Sequence, residues 1–219
     1  MTAVVVQARL DSSRLPGKAL LPLGGKSLLD CVLEALRAVK ADQHALACPA
    51  ECVEAFAPLA EQNGFTIVTG PKDDVLARYC NAVRTLHADR VIRATGDNPF
   101  VFADAANLIH AEASGADYAA YSGLPYGAGV ESVAAEALLR AEREAALPDE
   151  REHVCPYLYG HGELFLLHRP LAPLRWRRPD IRLTVDTKYD YRRALRIREK
   201  LSRCGSYTGE EIIAAAEAL

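Results

Sequence analysis

Residues 3–18 read Ala3-Val4-Val5-Val6-Gln7-Ala8-Arg9-Leu10-Asp11-Ser12-Ser13-Arg14-Leu15-Pro16-Gly17-Lys18. Residues 3–7 carry three consecutive valines with no polar alternation. Such a run predicts a strand buried on both faces, as in the middle of a parallel sheet. Residues 8–26 hold three glycines and two prolines and read as a long loop.

From there the chain alternates. Ser27 and Asp30 form a capping-box-like pair. They precede a helix with Leu28, Leu29, Val32, Leu33, Leu36 and Val39 on one face. Strands are expected at 44–48, 65–68, 90–94 and 118–120. Helices are expected at 53–62, stopped by Asn63-Gly64, and at 74–86 and 103–113. This alternation implies a three-layer, Rossmann-like α/β fold with a mostly parallel mixed sheet. After residue 121 the pattern changes. A glycine-rich loop at 123–129 leads to a strand at 130–134, a helix at 135–145 and a helical stretch at 150–159. Strands at 164–168 and 181–185 flank a proline- and arginine-rich excursion, and helices at 188–202 and 209–219 follow. The organisation expected is one domain over 1–219, with an acceptor- or dimer-contact excursion around 121–180.

A length of 219 residues suits roughly one domain at ~150 residues each. Half the residues are hydrophobic and a quarter charged, an ordinary globular balance. No apolar run approaches the ~18 residues that span a bilayer. Met1-Thr2-Ala3 lacks the basic start of a signal peptide. A cytoplasmic enzyme with no membrane partner is therefore expected. The six cysteines (31, 48, 52, 80, 155 and 204) read as reduced thiols. Cys48 and Cys52 lack a second pair, and His153, Cys155, His161 and His168 read as packing and surface residues rather than a zinc site. Charge is uneven: residues 1–168 hold 22 acidic against 14 basic side chains, and residues 169–203 hold 12 basic against 4 acidic. The overall pI of 6.1 speaks against a dedicated nucleic-acid binder, although 169–203 is the stretch such a module would use.

Three segments carry candidate chemistry. A loop at the C-terminal end of a first parallel strand is where open α/β sheets bind ligands. Here it places Arg9, Arg14 and Lys18 beside Gly17 and two serines. That set suits a polyphosphate, through charge-assisted hydrogen bonds and close backbone approach, or else forms a solvated basic turn. Gly25-Lys26-Ser27 imitates the end of a phosphate-binding P-loop, but Leu20 stands where that motif needs its first glycine. The second segment, Arg93-Ala94-Thr95-Gly96-Asp97-Asn98-Pro99, ends a strand in a carboxylate that can hold Mg²⁺ or make an Asx turn. The third, Leu183-Thr184-Val185-Asp186-Thr187, offers either a second metal carboxylate or a helix N-cap.

Gln-Ala-Arg-x-x-Ser-Ser-Arg-Leu-Pro-Gly-Lys at 7–18 is followed by Asp-Asp-Val-Leu-Ala-Arg-Tyr at 73–79 and Thr-Gly-Asp-Asn-Pro at 95–99. Arg-Glu-His-Val at 151–154 and Leu-Thr-Val-Asp-Thr at 183–187 complete the series. In this order, over residues 3–200, the motifs resemble the cytidylyltransferase family, in its spore coat polysaccharide biosynthesis protein F-like branch. The CMP-Kdo and CMP-sialate synthetases are more distant relatives. The resemblance implies a nucleotidyltransferase fold, a homodimer, and CTP- and Mg²⁺-dependent transfer of CMP to a sugar or sugar-acid hydroxyl with release of pyrophosphate. It implies Arg14, Lys18 and Asp97 as catalytic residues. Nucleotide contacts would come from Gln7, Ala8, Arg9, Ser12, Ser13, Arg14, Lys18, Asp74, Arg78, Thr95 and Gly96, and metal ligands from Asp97 and Asp186. Gly129, Glu131, Glu152 and His153 are the acceptor candidates. Thr95 and Asn98 replace the glutamine and glutamate of the CMP-Kdo enzymes, so the acceptor is not carried over. A phosphonate or polyol phosphate acceptor, or another nucleoside triphosphate, is the alternative within the class.

Overall fold

In chain order the elements are β1 (Thr2–Gln7), β2 (Pro22–Leu23), β3 (Lys26–Ser27), α1 (Leu28–Leu36), β4 (Gln43–Cys48), α2 (Val53–Asn63), β5 (Thr66–Thr69) and α3 (Val75–Leu86). They continue as β6 (Arg90–Thr95), α4 (Ala103–Glu112), β7 (Tyr118–Ala119), β8 (Glu131–Ala134), α5 (Ala135–Glu144), α6 (Pro148–His153), α7 (Pro156–Gly160), β9 (Leu167–His168), α8 (Lys188–Lys200) and α9 (Gly209–Glu217). This computed structural model describes residues 1–201 and 207–219. Ser202, the expected helix end, and Cys204 lie outside the described residues.

The main sheet runs β5-β4-β1-β6-β8-β7-β9. Every pairing is parallel except those of β8, which is antiparallel to both β6 and β7. Val4, Val5 and Val6 are fully buried because helices cover both faces of β1. Val4, Val6, Leu46 and Ile92 pack with α1, α2, α4 and α9, while Ala3, Val5 and Val91 pack with α3, α5 and α7. Local signals set the helix ends. Ser27 Oγ accepts the Asp30 amide at the start of α1, Asp74 caps α3 through the Ala77 amide, and Gly64 closes α2 at φ 72°. The chain moves outward from β1 through β4 to β5, then returns to place β6 on the other side of β1. That reversal opens a crevice at the C-terminal ends of β1 and β6, the place where open α/β sheets take ligands.

Four expectations need correction. Residues 181–185 are extended but join no strand of the sheet. The amides of Leu183 and Thr184 turn to the Tyr126 carbonyl, and that of Val185 to the Asp97 carbonyl. The helical stretch at 150–159 is two helices, broken at Val154 (φ 74°) just before Pro156. The strand at 164–168 shrinks to β9. Finally, Trp176 and Tyr157, which lie in the excursion around 121–180 expected to make an acceptor or dimer contact, are buried within the chain itself. Burial of Trp176 explains why the arginine-rich excursion lies flat on the body. A Cβ added at Gly209 would come within 2.9 Å of the indole and 2.6 Å of Phe102, so only glycine lets α9 close over that ring.

Among the described residues Cys31, Cys48, Cys52, Cys80 and Cys155 are free and buried thiols. Burial pushes Cys31 and Cys48 up to about 11, which keeps them protonated and unreactive near neutrality.

The Trp176→Ala variant should lose ~3–5 kcal/mol of stability in denaturant titration, the usual cost of emptying a buried aromatic site. A loss below about 1 kcal/mol would mean the excursion is not anchored there.

Candidate active site

Two backbone exits lie side by side at the crevice. Gln7 ends β1 opposite Thr95 at the end of β6, and the Gly96 amide donates to the Gln7 carbonyl at 2.7 Å. A side chain at Gly96 would meet the Gln7 carbonyl oxygen and the Ala8 Cβ at 2.9 Å. Glycine is therefore what allows the turn carrying Asp97 to lie against the first strand. Thr95 Oγ1 accepts from Asn98 Nδ2 at 2.8 Å, closing that turn locally.

Asp186 reaches the same place from the far end of the chain. The Val185 amide donates to the Asp97 carbonyl at 2.9 Å. Lys18 then joins the two carboxylates: its Nζ lies 2.8 Å from Asp97 Oδ2, 3.1 Å from Asp186 Oδ1 and 3.0 Å from the Val185 carbonyl. Gly17, at φ 67°, turns the loop so that Lys18 points inward. Buried Leu15 and the Gly17 amide, bonded to the Leu10 carbonyl, pin the loop to the body. Arg14 is largely exposed, and its Nη2 lies 3.1 Å from the same Asp186 oxygen. Ser12 is half-buried and Ser13 exposed on this loop. The helix-cap alternative for Asp186 is excluded, because Thr187 caps α8 in a capping box with Asp190 and leaves the Asp186 carboxylate free for the cleft.

The flank of the cleft is built around Arg78. It is buried, and its guanidinium donates to the carbonyls of Pro71 (2.8 Å) and Lys72 (3.3 Å) and to Gln7 Oε1 (3.4 Å), fixing the 70–72 turn against β1. Lys72 in turn holds Asp11 at 2.7 Å. This hydrogen bond keeps the Asp11 carboxyl below its ordinary range and ties the two loops together. Ala8 is buried, bonded to the Ala47 carbonyl. Asp74 spends one oxygen on its cap and the other on a two-pronged ion pair with Arg151, which docks α6 beside the cleft. Glu152 on α6 faces Arg9 at 3.6 Å, while exposed His153 faces Asp149 at 3.4 Å.

The remaining acceptor candidates lie on and just before β8. Glu131 begins β8 and is paired with Arg93 across the strand pair. It also accepts from Tyr118 Oη at 2.8 Å. Burial, with Glu131 adding to it, raises the Tyr118 hydroxyl, so it stays a donor. Gly129 is exposed just before that strand.

The structure thus brings Gln7, Arg9, Arg14, Lys18, Arg78, Gly96, Asp97 and Asp186 around one crevice. Arg182 and Arg151 belong to the same constellation: Arg151 opens the 151–154 motif, whereas Arg182 stands in none of the quoted motifs. Arg182 stands four residues before Asp186, and its Nη2 meets that carboxylate at 2.7 Å. The i, i+4 spacing was the available signal. Two hard carboxylate oxygens already converging on one ammonium suit a hard divalent cation, which takes oxygen ligands. No group of three or more His, Cys, Asp or Glu side chains positioned for a metal exists among the described residues, including 153–168.

The chain is similar to spore coat polysaccharide biosynthesis protein SpsF of Bacillus subtilis, 34% identical over 95% of this chain and 91% of that protein. Among solved structures, a cytidylyltransferase from Leptospira borgpetersenii superposes with a TM-score of 0.89 at 24% identity, covering 99% of this chain and 94% of that one. CMP:2-keto-3-deoxy-manno-octonic acid synthetase complexed with CTP has the same fold, with a TM-score of 0.61 at 19% identity over 92% of this chain and 98% of that one. A family model described as Cytidylyltransferase matches residues 3–212, and with the SpsF similarity it establishes that the chain belongs to the cytidylyltransferase family of nucleotidyltransferases.

Proposed function

We propose that the chain transfers CMP from CTP to a hydroxyl of a sugar or sugar acid, releasing pyrophosphate and activating a precursor for cell-surface polysaccharide. The observation that carries this reading is the meeting of Asp97, Asp186, Lys18 and Arg14 at the reversal point of a parallel sheet. Three elements distant in sequence converge there on a cleft rich in both cations and carboxylates. A solvated turn would not need this convergence. The CTP-bound neighbour is named for a keto-sugar acid, a compound of the same class.

In this reading Arg14 and Lys18 move from the carboxylates to the triphosphate. Charge-assisted hydrogen bonds to phosphate oxygens are worth more than those to neutral groups. Gly17, with open space where a side chain would stand, lets the nucleotide approach the backbone, Gly96 holds the Asp97 turn against β1, and Arg78 fixes the 70–72 turn that flanks it. The acceptor oxygen attacks the α-phosphorus in line. One P–O bond forms, the bond to pyrophosphate breaks, and the hydroxyl proton leaves to solvent. Asp97 and Asp186 would hold Mg²⁺, which neutralises charge on the attacking and leaving oxygens. The protein contributes position and charge stabilisation. Glu152 and His153, on the helix docked by Arg151, together with Glu131 and Gly129, are assigned to the acceptor side.

The stretch 169–203 is better read as structural than as a nucleic-acid surface. Arg177 donates to the Ala172 carbonyl, Arg178 pairs with Glu217, and Arg182 pairs with Asp186 and Asp190. No helix among the described residues is long and apolar enough to cross a membrane, and dependence on CTP supports a cytoplasmic location. All of 1–219 is assigned to one catalytic domain. Exposed Leu166, Leu171 and Leu174, on or next to the sheet edge at β9, support a homodimer across that edge.

Mass spectrometry after incubation with CTP, Mg²⁺ and a pool of sugars, sugar acids and phosphonates should give a CMP-sugar or CMP-sugar-acid adduct and pyrophosphate. A product only from a phosphonate, or only from another nucleotide, would reassign the substrate. In the same assay Arg14→Ala and Lys18→Ala should each cost ~1.5–3 kcal/mol of transition-state stabilisation, roughly 10- to 150-fold in kcat/KM. Asp97→Asn and Asp186→Asn should abolish turnover with little change in melting temperature, and near-native turnover at low Mg²⁺ would remove that residue from the metal site. Light scattering should return twice the chain mass at micromolar concentration, and a monomer mass would sink the dimer.

A further inference from the structure

The two oxygens of Asp186 keep different company. Oδ1 faces Lys18 and Arg14 in the cleft. Oδ2 accepts from Arg182 Nη2 at 2.7 Å. Arg182 is itself held on several sides. Its Nε donates to Asp190 Oδ1 at 3.0 Å, its guanidinium lies over the Tyr126 ring at 4.8 Å, and its backbone is bridged to that of Tyr126. Asp190 is buried, and its second oxygen accepts from the amides of Asp186 and Thr187 and from the Thr187 hydroxyl. Thus the fork of one arginine spans a fixed buried carboxylate and the carboxylate that faces the cleft.

We propose that Arg182 is a positioning residue that ties down one oxygen of Asp186, so that the cleft receives a single oxygen and selects Mg²⁺ over larger divalent cations such as Ca²⁺. A carboxylate free to turn about its last torsion can offer one oxygen or both. Calcium accepts carboxylates in either mode at flexible coordination, whereas magnesium demands near-octahedral geometry with short bonds and few protein ligands. Anchoring Oδ2 removes the two-oxygen mode. Arginine suits the task because its planar fork can hold both aspartates at once with little loss of freedom, which a lysine cannot do. The inference rests on the assignment of Asp97 and Asp186 to the metal. Charge alone makes a different forecast: deleting a cation beside Asp186 would tighten every divalent ion to a similar degree. The ratio between two ions therefore separates the two accounts.

The experiment uses the full chain with CTP and Mn²⁺ as probe, followed by water-proton relaxation enhancement. MgCl₂ or CaCl₂ then displaces the manganese, and melting temperatures are recorded in parallel. Wild-type protein should release Mn²⁺ at lower Mg²⁺ than Ca²⁺. In Arg182→Ala that preference should shrink at least threefold. Arg182→Lys, which keeps a charge for Asp190 but cannot bridge both carboxylates, should fall between; if the alanine variant melts too early, the lysine variant decides against wild type. An unchanged Mg²⁺/Ca²⁺ ratio in a folded variant, or equal tightening of both ions, overturns the role of Arg182. An Asp186→Asn variant that retains full relaxation enhancement overturns the metal assignment itself, and that failure is distinct from the first.

Discussion

The active cleft depends on one backbone hydrogen bond, from the amide of Val185 to the carbonyl of Asp97. It links the turn after a central strand to a segment that belongs to no strand, and it places two carboxylates within reach of one ammonium. Two aspartates so placed repel each other unless a cation lies between them. Lys18 supplies that cation from a third element. In the reaction proposed above, a triphosphate entering the cleft would offer Lys18 and Arg14 stronger partners and leave the two carboxylates to a metal.

The rest of the fold serves to bring those three elements together. Burial of β1 on both faces centres the sheet, and the reversal between β4 and β6 leaves a crevice at its C-terminal edge. Gly96 permits the contact between the two loops at that crevice, since any Cβ there would strike the Gln7 carbonyl. Around this centre, paired charges act as braces: Arg151 with Asp74, Lys72 with Asp11, and Arg182 with Asp186 and Asp190. Several are partly exposed, so their stabilising effect is small. Their effect is geometric, because each joins segments that the sheet alone would leave independent.

Much of this was legible in the sequence because the informative patterns are local. The valine run, the Ser27 cap and the Asn63-Gly64 stop each act over a few residues, and the elements they mark form as expected. The cationic loop and the two aspartates could be picked out for the same reason. What was not legible depends on contacts between distant segments. Residues 181–185 have the composition of a strand, but their amides are satisfied by Tyr126 and Asp97 outside the sheet. Trp176 lies in the excursion expected to make an acceptor or dimer contact, yet Gly209 allows α9 to bury it. The role of Thr187 as cap, which frees Asp186, was within reach through the Thr187/Asp190 spacing. The spacing of Arg182 and Asp186 hints at their pairing, but that the same arginine also holds Asp190 depends on the fold around Tyr126.

The central claim is that Asp97 and Asp186 share one cation site, from which Lys18 withdraws as the nucleotide enters. Crystals grown with CTP and Mn²⁺, with data collected at the manganese absorption edge, test it directly. One anomalous peak is expected in contact with carboxylate oxygens of both aspartates and with the nucleotide phosphates, with Lys18 Nζ moved onto a phosphate oxygen. A peak elsewhere, or a Lys18 ammonium still lying between the two carboxylates with CTP bound, would contradict it.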